Sequence, residues 1–440
     1  MDGPSFGFMP HAHLTVFHLF SNALFGLMMK IIADLHVHSK YSRATSKNMD
    51  VNNIAYWAKR KGINLVGTGD FTHPAYLKEL KNKLVEPGNG ILEPNAASDG
   101  INFILSTEIS NIYTYKGKTR RVHNIILAPS FNVVEKINHA LLSFGRLDYD
   151  GRPIFGFNAK DLVKLTMDIS DRCMIIPAHA WTPWYSVFGS NSGFDSIEEC
   201  FDEQTKNIYA IETGLSSDPP MNWRVKSLDG ITLVSNSDAH SPDKLGREAN
   251  VFECEMDYDA VTDAVKSKDK KRFLFTIEFY PEEGKYHFDG HRACNISLSP
   301  EQTVRYDGIC PVCHKPLTIG VMNRVLRLAT RNEGFIPQDA IPFRHTIPLK
   351  EIMSFILSVG VNTKKIEKIY DTAIDKGVSE MDILLDLPVN ELKKLLPEEI
   401  AAGIMHVRNG NVNLTPGYDG VYGSIGIVSG DREPPQNRLF

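Results

Sequence analysis

The sequence predicts an α/β fold in which parallel strands alternate with helices to close a barrel, followed by two smaller domains. Three observations carry this reading. Between residues 30 and 250, short β-branched runs alternate with helical stretches, the pattern of a parallel sheet rather than an antiparallel sandwich. On or just after six of these runs stands a His, Asp or Glu: IIADLHVHS (His36, His38), NLVGTGDF (Asp70), FILSTEIS (Glu108), RVHNIIL (His123), IIPAHAW (His179) and ITLVSNSDAHS (Asp238, His240). Side chains at the ends of parallel barrel strands converge on one face, where such folds place their chemistry. From Tyr286 the composition changes to paired Cys/His knuckles and then amphipathic helices.

Taken in order, 51–61 reads as a helix that stops at Gly62, a typical C-terminal signal. Strands are expected at 63–66, 103–105, 125–127, 174–176, 208–211 and 231–234, all within a catalytic barrel over 29–285. Long loops at 84–100 and 181–200 interrupt the alternation, and loops of that size are usually functional. The second directly follows His179 and carries Trp181, Trp184, Tyr185 and Phe188. Such aromatics either stack on a base or sugar or cover the barrel mouth as satellite core; Trp181 and Trp184 are taken as substrate-binding. Arg43, five residues past His38, is taken as a phosphate contact.

Residues 286–335 place His291 and Cys294 ahead of Cys310 and Cys313, with fifteen residues between Cys294 and Cys310. Two short knuckles joined by a linker are the plan of a structural zinc ribbon, whose closed tetrahedral site stands in for a core too small to form. His287 and His314 compete with His291 for the fourth position. A redox role for the CxxC would need a βαβ context, which is missing. A helix is expected over 321–332. The C-terminal helical domain and tail, 345–440, contain three amphipathic helices punctuated by Gly360, Gly377 and Pro388, then a Gly-rich end.

Composition narrows the function classes. Of 440 residues, 42% are apolar and 23% charged, which excludes global disorder. A net charge of −5 excludes a uniformly basic nucleic-acid coat, though a groove needs only a few clustered cations. The runs 116–121 and 266–272 are candidates, with a solvated hairpin and a solvated helix end as the plain alternatives. Six Cys are too few for a disulfide scaffold, so a reducing, cytoplasmic compartment is expected. Residues 14–29 are apolar, but no Lys or Arg precedes them as a signal peptide requires. His18, Asn22 and the short length disfavour a membrane span. Residues 1–28 read as a non-native upstream extension outside the fold.

An isolated HxH says little: with fifteen His, about half of one such pair arises by chance. His11-Ala12-His13 is one, with no strand before it. The recurrence at strand ends is what points to metal. Neutral imidazoles with carboxylates suit two or three divalent ions, Zn, Mn, Mg or Fe. No Ser-His-Asp set and no P-loop is present, so metal-assisted hydrolysis of a phosphate ester is the economical chemistry. Asp238 and Asp70 are the expected catalytic carboxylates, orienting ligands or relaying protons.

The order HxH, Asp, Glu, His, His, SDAH resembles that of the PHP (polymerase and histidinol phosphatase) metallophosphoesterases. The resemblance implies a distorted (β/α)7 barrel with up to three metals. It implies ligands at His36, His38, Asp70, His123, His179, Asp238 and His240, with Glu108 bridging. Two positions depart from the pattern. Thr68-Gly69-Asp70 stands where an imidazole is usual, and Ala44 falls where a further ligand is expected, so the third site is altered unless His73 compensates. From residue 34 onward, DLHVHSKYSRATSK, TGDFTHP, STEIS, PAHAWTPW, ETGLSSDP, SNSDAHSP, the HxxC…CPxC ribbon and PGYDGVYG resemble the endonuclease Q family. That likeness implies DNA-repair cleavage of the phosphodiester 5′ to deaminated bases (uracil, hypoxanthine, xanthine) and abasic sites, with the lesion flipped out. Damaged DNA is then the partner and a membrane is not. A replication or repair clamp would suit such an enzyme, without a motif to mark it. The alternatives are a PHP phosphatase acting on a small monoester and a DNA-binding module with structural metals.

Overall fold

The computed structural model describes residues 28–95 and 100–427; apart from Met28, the expected upstream extension lies outside them. The central sheet grows from strand Met29–Asp34, which pairs in parallel with Leu65–Gly67, itself parallel to Asn102–Tyr115. The first crossover is helix Val51–Lys61. The Asp50 carboxylate caps its start by accepting from the backbone N–H groups of Asn52 and Asn53, and Gly62 ends it at φ 84°. Such a cap stabilises by about 1 kcal/mol, and the left-handed stop favours glycine.

Beyond this point the sheet departs from the all-parallel expectation. Asn102–Tyr115 and Lys118–Ala128 form one long antiparallel hairpin, and Met174–Pro177 adds to it antiparallel. Its two-residue turn, Lys116-Gly117, has φ 48° and 74°, the left-handed pair that matches strand twist in tight hairpins. On the other flank, Ala249–Cys254 runs antiparallel to the first strand and to Phe273–Glu278, which pairs in parallel with Phe343–His345. Ala210–Glu212 and Thr232–Val234 form a separate parallel pair, tied in where Ala180 N–H donates to the Glu212 carbonyl. The sheet is therefore mixed. Strands buried on both faces read as continuous apolar runs, and such runs do not declare direction.

Inside and outside faces are both filled by Ile, Leu, Val and Phe at almost no exposure, including Ile31, Leu65, Phe103, Ile126 and Ile176. The 84–100 segment contains a short antiparallel pair, Leu84–Val85 with Ile91–Pro94. The 181–200 loop runs irregularly into helix Ile197–Phe201.

After the sheet, Asp289–His291 and Ile296–Leu298 make a small hairpin, followed by helices Pro300–Arg305 and Val321–Leu328. Among the described residues the C-terminal part holds four α-helices where three were expected: Leu349–Leu357, Lys364–Ile374, Val389–Leu395 and Glu398–Arg408. Pro388 and Pro397 precede the last two and end what the apolar period alone would run together. The tail Val412–Thr415 pairs with Ser424–Ile427. A buried ion pair, Lys61 Nζ to Glu380 Oε2 at 2.8 Å, ties the first helix to this part. Among the described residues, no helix is long and apolar enough to cross a membrane.

Candidate metal centre

The first strand delivers three acceptor or ligand groups in five residues. Asp34, fully buried, accepts from the backbone N–H groups of Ser237 (3.0 Å) and Gly246 (2.9 Å), pinning the SDAH loop against the strand end. His36 and His38 then project inward. Nδ1 of His36 lies 3.1 Å from each Glu212 carboxylate oxygen, and Nδ1 of His38 lies 3.1 Å from Asp70 Oδ1. A carboxylate on Nδ1–H fixes the tautomer and turns the Nε2 lone pair into the site.

Both supporting carboxylates are themselves held. Glu212 also accepts from the His179 backbone N–H at 2.7 Å and from Asn236 Nδ2 at 2.9 Å. Oδ2 of Asp70 accepts from Ser39 N and Oγ, both at 2.6 Å, and from Ser42 Oγ at 2.9 Å. Asp70, His179 and Asp238 adopt φ 45°, 30° and 48°, a region side chains with a Cβ enter at a cost and usually at functional sites.

Glu108 stands at the centre. Its Oε2 is 3.3 Å from His38 Nε2 and 3.7 Å from His36 Nε2; its Oε1 is 2.8 Å from His123 Nδ1 and 3.1 Å from His179 Nε2. Asp238 Oδ1 lies 3.0 Å from His38 Nε2. Two ligand groups result, His36–His38–Asp238 and Glu108–His123–His179, each with its donor atoms within 4.8 Å of one another. His36 Nε2, His38 Nε2 and Asp238 Oδ1 are buried and make no aligned hydrogen bond. Three such atoms aimed at one point are what a divalent cation would satisfy.

Electrostatics points the same way. Burial disfavours charge on His36, but Glu212, Asp238 and Glu108 outweigh it and raise its pKa well above the ordinary value. For His38 burial is likewise outweighed, by Asp238, Asp70 and Glu108. Glu108 is held well below the usual carboxylate range against its own burial by His123, Arg152 and His36. Burial dominates at His123, which falls to about 4 despite Glu108. The pocket demands positive charge while keeping His123 a neutral donor.

Several expected roles change. Asp70 lies in neither ligand group: its Oδ1 meets His38 and its Oδ2 accepts from Ser39 and Ser42, so it sits behind His38. His240 lies outside both ligand groups, with Nδ1 on the Asp238 carbonyl at 2.9 Å and its ring 4.5 Å from His38, one-third exposed at the rim. Trp181 offers no stacking face: it is fully buried, packs on Phe188, and donates its indole N–H to Asn222 Oδ1 at 2.7 Å. Trp184 is half-buried, edge-on to Tyr286. Arg43 is exposed, over the Tyr149 ring and 3.4 Å from Asp150. His73 lies stacked on Tyr41 rather than in the cluster. Glu212 and Arg152 were not foreseen. Glu212 ends the run YAIE, the same strand-then-ligand grammar as the others, whereas nothing local marks Arg152.

A third group, His291, Cys294, Cys310 and Cys313, is also within 4.8 Å, with His291 Nδ1 at 3.4 Å from Cys313 Sγ. Desolvation of the Cys310 thiol is outweighed by the backbone N–H groups of Cys313 and Val312, which bring it down to about 7. His287 is buried beside Phe288 and His314 takes φ 56°; neither joins the group.

Known proteins share this fold. The crystal structure of the lesion-specific endonuclease PfuEndoQ from Pyrococcus furiosus superposes with a TM-score of 0.81 at 32% identity, over 91% of this chain and 96% of that one. The chain belongs to the endonuclease Q family. A second endonuclease Q structure, in complex with a 27-mer duplex carrying an abasic lesion at the active site, gives 0.80 at 32% identity, over 91% and 97%. A family described as the MJ0043 C-terminal domain matches residues 348–411. Protein MJ0043 of Methanocaldococcus jannaschii is 32% identical over 257 residues, 56% of this chain. The match spans only 31% of that longer protein.

Proposed function

We propose that this chain is a metal-dependent DNA-repair endonuclease that hydrolyses the phosphodiester 5′ to deaminated bases and abasic sites. The observation that carries the reading is the pair of ligand groups that meet at Glu108, a member of one and 3.3 Å from His38 of the other, in a chain related to an endonuclease Q that was crystallised on an abasic duplex. In this reading residues 29–285 form a distorted (β/α)7 catalytic barrel of the PHP type. Residues 286–335 form a ribbon whose zinc is held by His291, Cys294, Cys310 and Cys313, and 345–440 complete the DNA-binding surface.

His36, His38 and Asp238 would hold one divalent cation, and His123, His179 and Glu108 a second. Bound there, such ions supply Lewis acidity toward a phosphoryl oxygen and lower the pKa of water. The chain's own residues do the rest. Asp70 and Glu212 keep both first-strand imidazoles in the Nδ1–H tautomer. The Asp238 carbonyl holds the His240 proton at Nδ1, which leaves Nε2 to accept a proton at the mouth. A damaged nucleotide pairs poorly and costs less to extrude, and Trp184 with Tyr286 offers it an aromatic wall.

A gel assay with 5′-labelled duplexes carrying one uracil, hypoxanthine, xanthine or abasic site, with Mg²⁺ or Mn²⁺, tests the proposal. Cleavage 5′ to the lesion, spared on undamaged DNA and lost in Asp238→Ala, is expected. Hydrolysis of simple monoesters with no cleavage of any DNA would replace it with a small-molecule phosphatase.

A further inference from the structure

Arg152 is mounted at the mouth of the metal centre with unusual rigidity. Its backbone N–H donates to Asp150 Oδ1 at 3.1 Å, and that carboxylate also accepts from the Arg43 N–H at 3.4 Å. On either side, Gly151 N–H donates to the Tyr41 carbonyl (3.1 Å), Thr72 Oγ1 donates to the Gly151 carbonyl (3.2 Å), and Ser110 N–H donates to the Pro153 carbonyl (3.0 Å). Gly151 itself runs flat against the carboxylate that positions His38: a Cβ there would lie 2.3 Å from Asp70 Oδ2 and 2.4 Å from Ser42 Oγ. The segment is thus built to bring one guanidinium to one place.

That place is Glu108. Nη1 of Arg152 sits 3.0 Å from Oε2, the oxygen that faces His36 and His38. Among the described residues Glu108 is its one ion-pair partner, met through a single nitrogen, and the side chain keeps 28% of its surface exposed. A guanidinium has five N–H donors in a planar fork suited to two phosphate oxygens. A purely structural ion pair with a carboxylate commonly uses that fork bidentately; here one nitrogen alone meets the carboxylate and part of the side chain stays open to solvent.

We propose that Arg152 is a catalytic residue that grips the non-bridging oxygens of the scissile phosphodiester, gaining hold as charge builds on them in the in-line displacement. A phosphate spanning the two ligand groups must pass over Glu108, so its free oxygens come within the fork's reach. The inference rests on the phosphodiester hydrolysis proposed above and adds a fixed cation from the chain itself to whatever the metals supply.

The test compares wild type, Arg152→Ala and Arg152→Lys on an abasic duplex and on bis(p-nitrophenyl) phosphate, with bound metal counted and duplex affinity measured for each. Arg152→Ala is expected to lose about 100-fold or more in kcat with metal content and duplex affinity near wild type. Added guanidinium should restore part of the rate where equimolar urea or NaCl does not, and Lys should retain an intermediate rate. A kcat within about threefold of wild type, a loss that tracks loss of metal, or a null guanidinium effect would each overturn the assignment. Wild type that splits the small diester but no lesion duplex would refute the DNA reading and leave the arginine to be judged on the diester alone. Wild type inert on both would overturn both.

Discussion

Two carboxylates do the same job on two neighbouring imidazoles: Glu212 behind His36 and Asp70 behind His38. Neither reaches the ligand point, yet each sets which nitrogen is free to bind. Replacing such a partner typically lowers metal affinity 10- to 100-fold. Glu212→Gln keeps a hydrogen-bond acceptor but removes the charge that holds His36 and the His179 backbone together. Titration calorimetry with Mn²⁺ should therefore show one of two sites weakened by about tenfold or more, while the melting temperature changes little. Equal weakening of both sites would mean that Glu212 acts on the whole fold instead of on one imidazole. Asp238 has the opposite character, since its Oδ1, buried without an aligned hydrogen bond, belongs to a candidate ligand group; Asp238→Asn should abolish cleavage while leaving lesion-DNA binding measurable by fluorescence anisotropy.

Elements differ in how far their sequence declares them. Cys313→Ser should release one zinc per chain, read by metal analysis, and weaken duplex binding, while turnover of a small diester persists because the main ligand groups lie in another element. The His291–Cys313 ligand group was legible because three thiols and an imidazole at fixed spacing have few other uses, and helix 51–61 was legible because a stop at Gly62 ends it. Strand direction was not: Asn102–Tyr115 is buried along most of its length, so the period-2 signal that marks a one-sided antiparallel strand is erased. The recurrent run-then-ligand pattern picked out His36, His38, Glu108, His123, His179 and Asp238, which fall into two groups, although Glu108 and His123 stand mid-strand in the long hairpin and not at strand ends as expected. The pattern did not separate ligands from their supports, because an Asp that binds a cation and an Asp that aims a histidine look alike until both oxygens are traced. Arg152 came from a loop whose register against Glu108 only the assembled fold sets, and Trp181 from a loop whose aromatic content is the same whether it lines a pocket or fills a core.

At the scale of the whole molecule, the sheet interior at the end of strand Phe273–Glu278 holds buried acids that belong to neither ligand group. Glu278 closes strand Phe273–Glu278, accepts from Thr213 Oγ1 at 3.0 Å, and keeps Oε1 buried without a partner. Glu248 faces it with Oε2 equally unmet. Burial pushes Glu278 up to about 7, and burial with the neighbouring Glu278 and Glu212 charges pushes Glu248 well above the usual range. The unfolded carboxyl loses its proton near 4.5, so between that value and about 7 the folded chain binds more protons than the unfolded one. Stability then falls as pH rises through this window, and the deficit stands in full above it. For Glu278 the deficit is about 3 kcal/mol at most. Glu278→Gln carries no charge at any pH, so its melting temperature should match wild type near pH 5 and exceed it by a few degrees near pH 8. Scanning calorimetry of both proteins at the two pH values decides it: a constant difference would mean that Glu278 is ionised throughout, and that this part of the sheet is held by contacts indifferent to its proton.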